Sequence, residues 1–390
     1  MSLYLNFRPK CDAVENELLY SVALSRVGGI GPVYAKKLLR FFGEARDVFT
    51  AGEGRLTGAG IPPHAIRAIL AFQNFSSLEK EMTLLDRKGI RILLFTDPDY
   101  PQRLSPIETA PFLLFCKGKI DWNAKKVLAV IGTRDPNEYG RQMTDRLIRD
   151  LVASGPVIIS GLASGIDGAA HRAALKYGLP TIGVLGHGFG YVYPGQNADL
   201  FRAMANRGGL ITEFPYDTPP DSYQFPFRNR IVAGMSDAVV VVETNTKGGS
   251  LGTIKKALDY GRKIFAVPGR LTDPKSAGCN QLISQGHARL LFGAQQLTTE
   301  MKWDTPANPP GFPATTDPVP TQSTLFTSDT GLAEPEATLL KRLREKGSLS
   351  LDELAHGSGI SASSLAIALL HLELRDLVLA LPGNRYRPCP

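Results

Sequence analysis

The sequence predicts an α/β protein built on a doubly wound parallel sheet, with a helical segment before it and a small winged-helix pattern after it. Three observations carry this expectation. Between residues 122 and 294, short apolar runs alternate with helical segments. Residues 12–72 show helical periodicity broken by glycine turns. Residues 333–388 read as three short helices followed by a hairpin. A chain of 390 residues exceeds one ordinary core. The expected division is a helical domain at 1–90, a sheet domain at 91–300, a linker at 301–332 and a C-terminal domain at 333–390.

The N-terminal part contains Leu24-Ser25-Arg26-Val27-Gly28-Gly29-Ile30-Gly31-Pro32, followed by Ala35-Lys36-Lys37-Leu38-Leu39. A glycine-rich hairpin between two short helices exposes backbone N–H groups that can grip a phosphate. It looks like a helix-hairpin-helix of the SAM-like type, a module that is often only structural.

The strands expected in the middle part are 127–132, 157–160, 181–185, 210–213, 238–243 and 263–267. Each is a near-continuous run rich in Val, Ile, Leu or Ala, bounded by Gly or Pro. Parallel strands covered on both faces have this composition. Their alternation with helices implies right-handed crossovers and a Rossmann-like sheet, with ligands beyond the carboxyl ends of the strands. Residues 302–332 are rich in Pro, Thr and Ser and read as a flexible linker. Beyond it, helices at 337–343, 351–355 and 362–374 and a hairpin around Pro382-Gly383-Asn384 complete the winged-helix pattern. The third helix presents Ser363, Ser364, His371 and Glu373. That face is not cationic, so partner binding or regulation suits it as well as DNA reading.

Charge places any polyanion footprint on the first two parts. Residues 1–120 carry 16 Lys/Arg against 12 Asp/Glu, residues 121–300 carry 20 against 15, and residues 301–390 carry 8 against 10. Cys11, Cys116, Cys279 and Cys389 are far apart and form no C-x-x-C, which argues against a zinc site and a disulfide framework. There is no signal-peptide pattern and no run approaching a membrane span. The expected setting is the cytoplasm.

Four strand-end loops hold the chemistry. They are Gly132-Thr133-Arg134; Ser160-Gly161-Leu162-Ala163-Ser164-Gly165-Ile166-Asp167; Gly186-His187-Gly188-Phe189-Gly190, running on through Tyr193-Pro194; and Gly248-Gly249-Ser250-Leu251-Gly252-Thr253. Small residues at a strand-to-helix turn make an anion-binding nest, and Arg134 adds a planar cation. No G-x-G-x-x-G follows the first strand and no Walker lysine is present, so a mononucleotide or phosphate backbone fits better than NAD or ATP. Phe225-Pro226-Phe227-Arg228-Asn229-Arg230 sets cations and stacking faces ahead of the apolar run 231–235. Phosphate would suit the arginines and a flat base the aromatics. The alternative is an arginine pair bonded to core carboxylates beside buried phenylalanines. Asp167 and His171, four residues apart, read as structural. No nucleophile–base set, metal cluster or cofactor fingerprint emerges.

The ordered set of G-T-R at 132–134, S-G-L-A-S-G-I-D at 160–167, Y-P at 193–194, T-E at 212–213, F-P-F-R-N-R at 225–230, G-S-L-G-T at 249–253 and A-V-P-G at 266–269 resembles the bacterial DNA-processing protein A family (DprA, also called Smf). The resemblance implies a dimeric, non-catalytic protein. It would bind single-stranded DNA in natural transformation, shield incoming strands and help load the RecA recombinase. It implies DNA contacts at Arg134, Phe225, Arg228 and Arg230, with Gly132, Thr133, Ser160, Gly161, Gly165, Asn229, Ser250 and Thr253 completing the expected site. Some relatives carry a lysine three residues before the first aromatic. Here that residue is Ser222, so the contact is missing or falls to Lys247. The fourth loop usually begins Ser-Gly-Ser and here begins Gly248-Gly249-Ser250.

Two other functions compete. Lysine-decarboxylase-like phosphoribohydrolases carry P-G-G-x-G-T-x-x-E. Laid on residues 248–256, that motif finds Gly248 at the proline and Lys256 at the catalytic glutamate. An architectural adaptor would instead bind proteins through its flanking modules. Leu282, Ile283, Leu290 and Leu291, at the last helix and strand of the sheet domain, are either a self-association edge or edge core.

Overall fold

The computed structural model describes residues 11–303 and 334–388, apart from 359, 361, 375–376 and 382–384. Most of the expected linker and the Pro382-Gly383-Asn384 turn lie outside the described residues. The chain divides into two compact units, 1–311 and 312–390.

The first unit opens with α1 (Cys11–Arg26), α2 (Pro32–Phe42), α3 (Ala45–Thr50), α4 (Glu53–Gly58), α5 (Pro63–Leu70) and α6 (Phe75–Arg87). The α1–α2 hairpin turns at Gly29, whose φ of +81° lies in the left-handed region that favours glycine. Ile30 is buried behind the turn, and Pro32 sits in the first turn of α2, where its missing N–H costs nothing. Gly28, Gly29 and Gly31 face solvent. Arg26 does not: it pairs with Glu81 at 3.0 Å and lies over the Phe115 ring.

The sheet contains β1 (Arg91–Leu94), β2 (Leu113–Gly118), β3 (Val127–Ile131), β4 (Val157–Ser160), β5 (Thr181–Val184), β6 (Gly209–Thr212), β7 (Ala238–Val241), β8 (Lys263–Ala266) and β9 (Arg289–Leu290). Its order is β1-β2-β6-β5-β4-β3-β7-β8-β9. The seven strands from β6 to β9 run parallel, and β1 and β2 close one edge antiparallel. All six expected strands form. The β1–β2 edge was not expected. Its strands are short, and the segment between them carries Pro98, Pro101, Pro106 and Pro111 rather than a helix, so no βαβ signal marks it.

Helices α7 (Glu138–Asp150), α8 (Ile166–Lys176), α9 (Ala198–Arg207), α10 (Gln224–Met235), α11 (Leu251–Asp259), α12 (Pro274–Ser284) and α13 (Ala294–Glu300) connect or flank the strands. Leu128, Val130, Ile158 and Val240 face α7 and α8, while Ala129, Ile131, Val239 and Val241 face the layer of α10, α11 and α12. All five residues of β3 are buried, because both of its faces are covered. A third core joins the N-terminal helices to Phe112, Leu113 and Phe115 of the antiparallel edge and to Met204 of α9.

Neighbouring strands β3 and β7 send their chains to opposite faces, to α7 and α11. That divergence opens a crevice beyond their carboxyl ends. The run 225–230 was expected ahead of its helix. Instead α10 begins at Gln224, so the run fills its first two turns. Pro226 is tolerated because first-turn N–H groups have no intrahelical partner.

The second unit comprises α14 (Glu334–Lys346), β10 (Leu349–Ser350), α15 (Leu351–Ser358), α16 (Ala362–Leu374), β11 (Val378–Leu381) and β12 (Arg385–Pro388). Three helices and an antiparallel sheet of order β10-β12-β11 form a winged helix around Leu339, Leu343, Leu365, Leu369 and Leu372. On α16, His371 bonds to the buried Glu336 at 2.9 Å.

Candidate nucleic-acid interface

The crevice is a groove of about 670 Å³ lined by parts of all four strand-end loops and by one face of α10. Phe225, Arg228, Asn229 and Val232 project from α10 into it. Their spacing of three, four and seven residues places them on one helix face. Gly132, Thr133 and Arg134 approach from β3, Gly161 and Asp167 from β4, and Thr244, Gly248, Gly249, Ser250 and Thr253 from β7.

Close backbone packing joins the loops. Thr133 N donates to the Glu243 carbonyl at 2.7 Å, and Ile166 N donates to the Thr133 carbonyl at 3.1 Å. Gly165 has φ +78°, and a Cβ there would lie 2.3 Å from the Thr133 oxygen. A Cβ on Gly132 would lie 2.6 Å from Ile166 Cγ1. These two glycines let the first and second loops stack. Gly165 supports the groove rather than lining it.

Arg134 is exposed, and its guanidinium carbon lies 5.2 Å from the centre of the Phe225 ring. Phe225 is half-buried and rests against Gly186, where a Cβ would come within 2.8 Å of the ring. An exposed cation beside a half-exposed aromatic face can bind a phosphate and a stacked base together. Lys247 and Ser222 are exposed and both line the groove. Tyr193, an aromatic beside proline and so a candidate for base stacking, also lines the groove.

The two arginines of α10 separate. Arg228 is 4% exposed and forms part of the groove floor. Its Nη1 donates to the carbonyls of Gly161 and Val184, and its Nε donates to Asn229 Oδ1 at 3.1 Å. Burial lowers its pKa to about 10, with Asp167 opposing the shift, so it stays charged at neutral pH. Asp167 accepts from Gly161 N at 3.2 Å, and burial raises its carboxyl above the ordinary value. Arg230 does not join the groove. It lies on the opposite side of α10, ion-paired with Glu213 and donating to the Thr109 carbonyl at 2.6 Å. Burial raises the Glu213 carboxyl, against the pull of Arg230. Of the two meanings the sequence left open for this arginine pair, bonding to a core carboxylate describes Arg230.

Other expected site residues are structural in position. Ser160 is fully buried and donates to the Val130 carbonyl at 2.6 Å. Ser250 donates to Thr244 Oγ1 at 2.8 Å, shaping the fourth loop while lining the groove. His171 is buried against Thr181 Oγ1 at 2.7 Å, and burial lowers its pKa to about 3, so it remains neutral. Among the described residues, no group of three or more His, Cys, Asp or Glu could hold a metal ion, and Cys116 and Cys279 are free and buried. Leu282 and Leu291 face the core, while Ile283 and Leu290 are half-buried beside the open edge of β9. No helix among the described residues is long and apolar enough to cross a membrane.

Comparison with known proteins extends this picture. Residues 91–302 match the model of the DNA recombination-mediator protein A family, and residues 323–384 match the DprA winged helix domain. The DNA processing protein DprA of Bacillus subtilis is 39% identical over 230 residues, covering 59% of this chain and 77% of that protein. Protein Smf of Synechocystis is 33% identical over 400 residues, covering 95% of this chain and 99% of the relative. The X-ray structure of DprA from Streptococcus pneumoniae superimposes with a TM-score of 0.64 at 32% identity, over 72% of this chain and 97% of that one. DNA processing protein A from Helicobacter pylori, solved for its single-stranded DNA binding mode, gives a TM-score of 0.50 at 30% identity, over 55% of this chain and 95% of that one. With its central sheet, its winged helix and a near full-length relative all in agreement, the chain belongs to the DNA recombination-mediator protein A (DprA/Smf) family.

Proposed function

We propose that the groove binds single-stranded DNA and that the protein acts without catalysis in handling incoming or recombining strands. One observation carries the reading: the half-exposed Phe225 ring stands in the groove with the exposed Arg134 guanidinium 5.2 Å away. Stacking on the ring accepts any base, and the cation takes a phosphate. The single-stranded DNA binding mode described for the Helicobacter pylori relative supports the same ligand class. The contacts fall to Arg134 and Phe225, with Asn229, Thr253 and the glycine-rich backbone of the loops around them. Arg228 braces the floor, and Ser160, Gly165 and Arg230 support from behind.

Hydrolysis of a nucleoside monophosphate is disfavoured. At the position where the phosphoribohydrolase motif needs a carboxylate, Lys256 carries an ammonium group paired with Asp259 at 3.3 Å. The expected result with oligonucleotides is preferential binding of single strands over duplex, weakening as salt rises because phosphate contacts release counterions. Equal affinity for duplex, or turnover of AMP to free base, would sink this function.

Loading of RecA and protection of strands in transformation extend the proposal. The protein is expected to speed RecA-dependent ATP hydrolysis on DNA precoated with single-strand-binding protein, and the absence of any acceleration argues against loading. Self-association through the β9 edge is also proposed. Leu290 is half-buried there and Phe292 is 81% exposed, so Leu290→Glu should shift sedimentation from dimer to monomer. An unchanged dimer removes this surface from consideration.

A further inference from the structure

The Arg134 side chain makes no hydrogen bond or ion pair among the described residues, although the Phe225 ring lies beside it. Apart from that ring, its place over the groove is set by the backbone that carries it, between Gly132 and the start of α7.

Glu243, two residues past the end of β7, lies fully buried behind that segment. Its carbonyl accepts from Thr133 N at 2.7 Å, and its Oε2 accepts from Asn137 N at 3.1 Å. One residue thus holds the segment on both sides of Arg134. Asn137 carries the connection further. Its Oδ1 caps α7 by accepting from Gly140 N at 2.9 Å, and its Nδ2 donates to Asp273 Oδ2 at 3.0 Å. Asp273 in turn accepts from Lys275 N at 2.9 Å at the start of α12. Gly140 leaves room for this arrangement, since a Cβ there would collide with the Glu243 carboxylate.

Stability alone does not call for a carboxylate at this position. Its Oε1 is buried without a hydrogen-bond partner, and an apolar side chain would fill the space without stranding a charge. Departures of this kind gather at functional sites.

We propose that Glu243 is a positioning residue for strand binding: by holding residues 133 and 137 it fixes the Arg134 guanidinium over the groove before DNA arrives. The inference rests on the strand-binding function above. A cation fixed in advance avoids the ordering cost that a free arginine meets on binding, roughly two- to tenfold in affinity for one side chain.

The test uses the full chain, an oligothymidine strand and fluorescence anisotropy. Glu243→Leu removes the acceptor and should weaken binding roughly fivefold. Glu243→Gln keeps an oxygen of the same reach and should bind within about twofold of the unaltered chain. In an Arg134→Ala background, Glu243→Leu should change the affinity by less than about twofold, because residues acting through one contact are not additive. Gly140→Ala reaches the same point from the other side. Alanine favours a helix, but here its Cβ displaces the carboxylate, so binding should weaken as in Glu243→Leu. That variant carries the comparison if Glu243→Leu does not fold. Unchanged affinity in Glu243→Leu overturns the positioning role and leaves strand binding standing. So does a loss just as large in the Arg134→Ala background, which a merely structural residue would give. An Arg134→Ala chain that binds normally removes the contact through which Glu243 would act. Equal loss in Glu243→Gln overturns the hydrogen bond as its means. Failure of the unaltered chain to bind the strand overturns both readings.

Discussion

Phe225→Ala should lower the affinity for single-stranded DNA by roughly 5- to 150-fold, the loss expected from about 1–3 kcal/mol of stacking on one base. The substitution removes a ring that is only half-buried, so the fold should survive and circular dichroism should be unchanged. Arg134→Ala should act differently. It takes away a cation rather than a platform, so the weakening should shrink at high salt. The slope of log affinity against log salt should fall by about 0.7 for the one lost phosphate contact. Fluorescence anisotropy across a salt series separates the two effects. If both variants bind as the unaltered chain does, the groove is not the interface. If Phe225→Ala changes the salt slope as Arg134→Ala does, the division into platform and clamp is wrong.

The second large effect is on stability. Arg230 and Glu213 form a buried ion pair on the far side of α10, with side chains 10% and 14% exposed. Removing one partner strands the other charge, which typically costs about 3–5 kcal/mol. Arg230→Met should therefore shift the urea midpoint strongly downward. Adding Glu213→Leu should recover much of the loss, since an apolar pair of similar volume often replaces a buried ion pair without penalty. The folded fraction of the double variant should still bind single strands, because neither residue lines the groove. A stable Arg230→Met variant that has lost DNA binding would place Arg230 at the ligand instead.

These two expectations show how far a single hexapeptide can be read. Both arginines of F-P-F-R-N-R carry the same charge and stand two residues apart. Nothing in the string says which faces a ligand. Helical geometry decides it. Residues 225, 228, 229 and 232 share a face, and residue 230 turns toward β6 and meets Glu213. The sequence set this run ahead of the apolar run 231–235, yet α10 begins at Gln224 and Pro226, in its first turn, forfeits no hydrogen bond. Ser160 was equally ambiguous. Its place in a glycine-rich loop suggested an anion nest, but its hydroxyl ends inside the sheet on the Val130 carbonyl.

The sequence by itself determined the doubly wound sheet, the winged helix and the family. Near-continuous apolar strands between glycines are what parallel strands covered on both faces require, and that pattern survives in one dimension. Ordered motifs spread over some 140 residues survive likewise. Only the tertiary structure decided which motif residues reach the groove, which brace it, and that Tyr193 stands beside Phe225. Those facts depend on helix phase and on contacts between loops far apart in the chain. Phe225 and Gly186 meet across 39 residues, and Arg134 and Phe225 across 91. Local periodicity carries no record of such meetings. They are set by strand order, which brings four loops to one crevice, and by glycines that let those loops pack backbone to backbone.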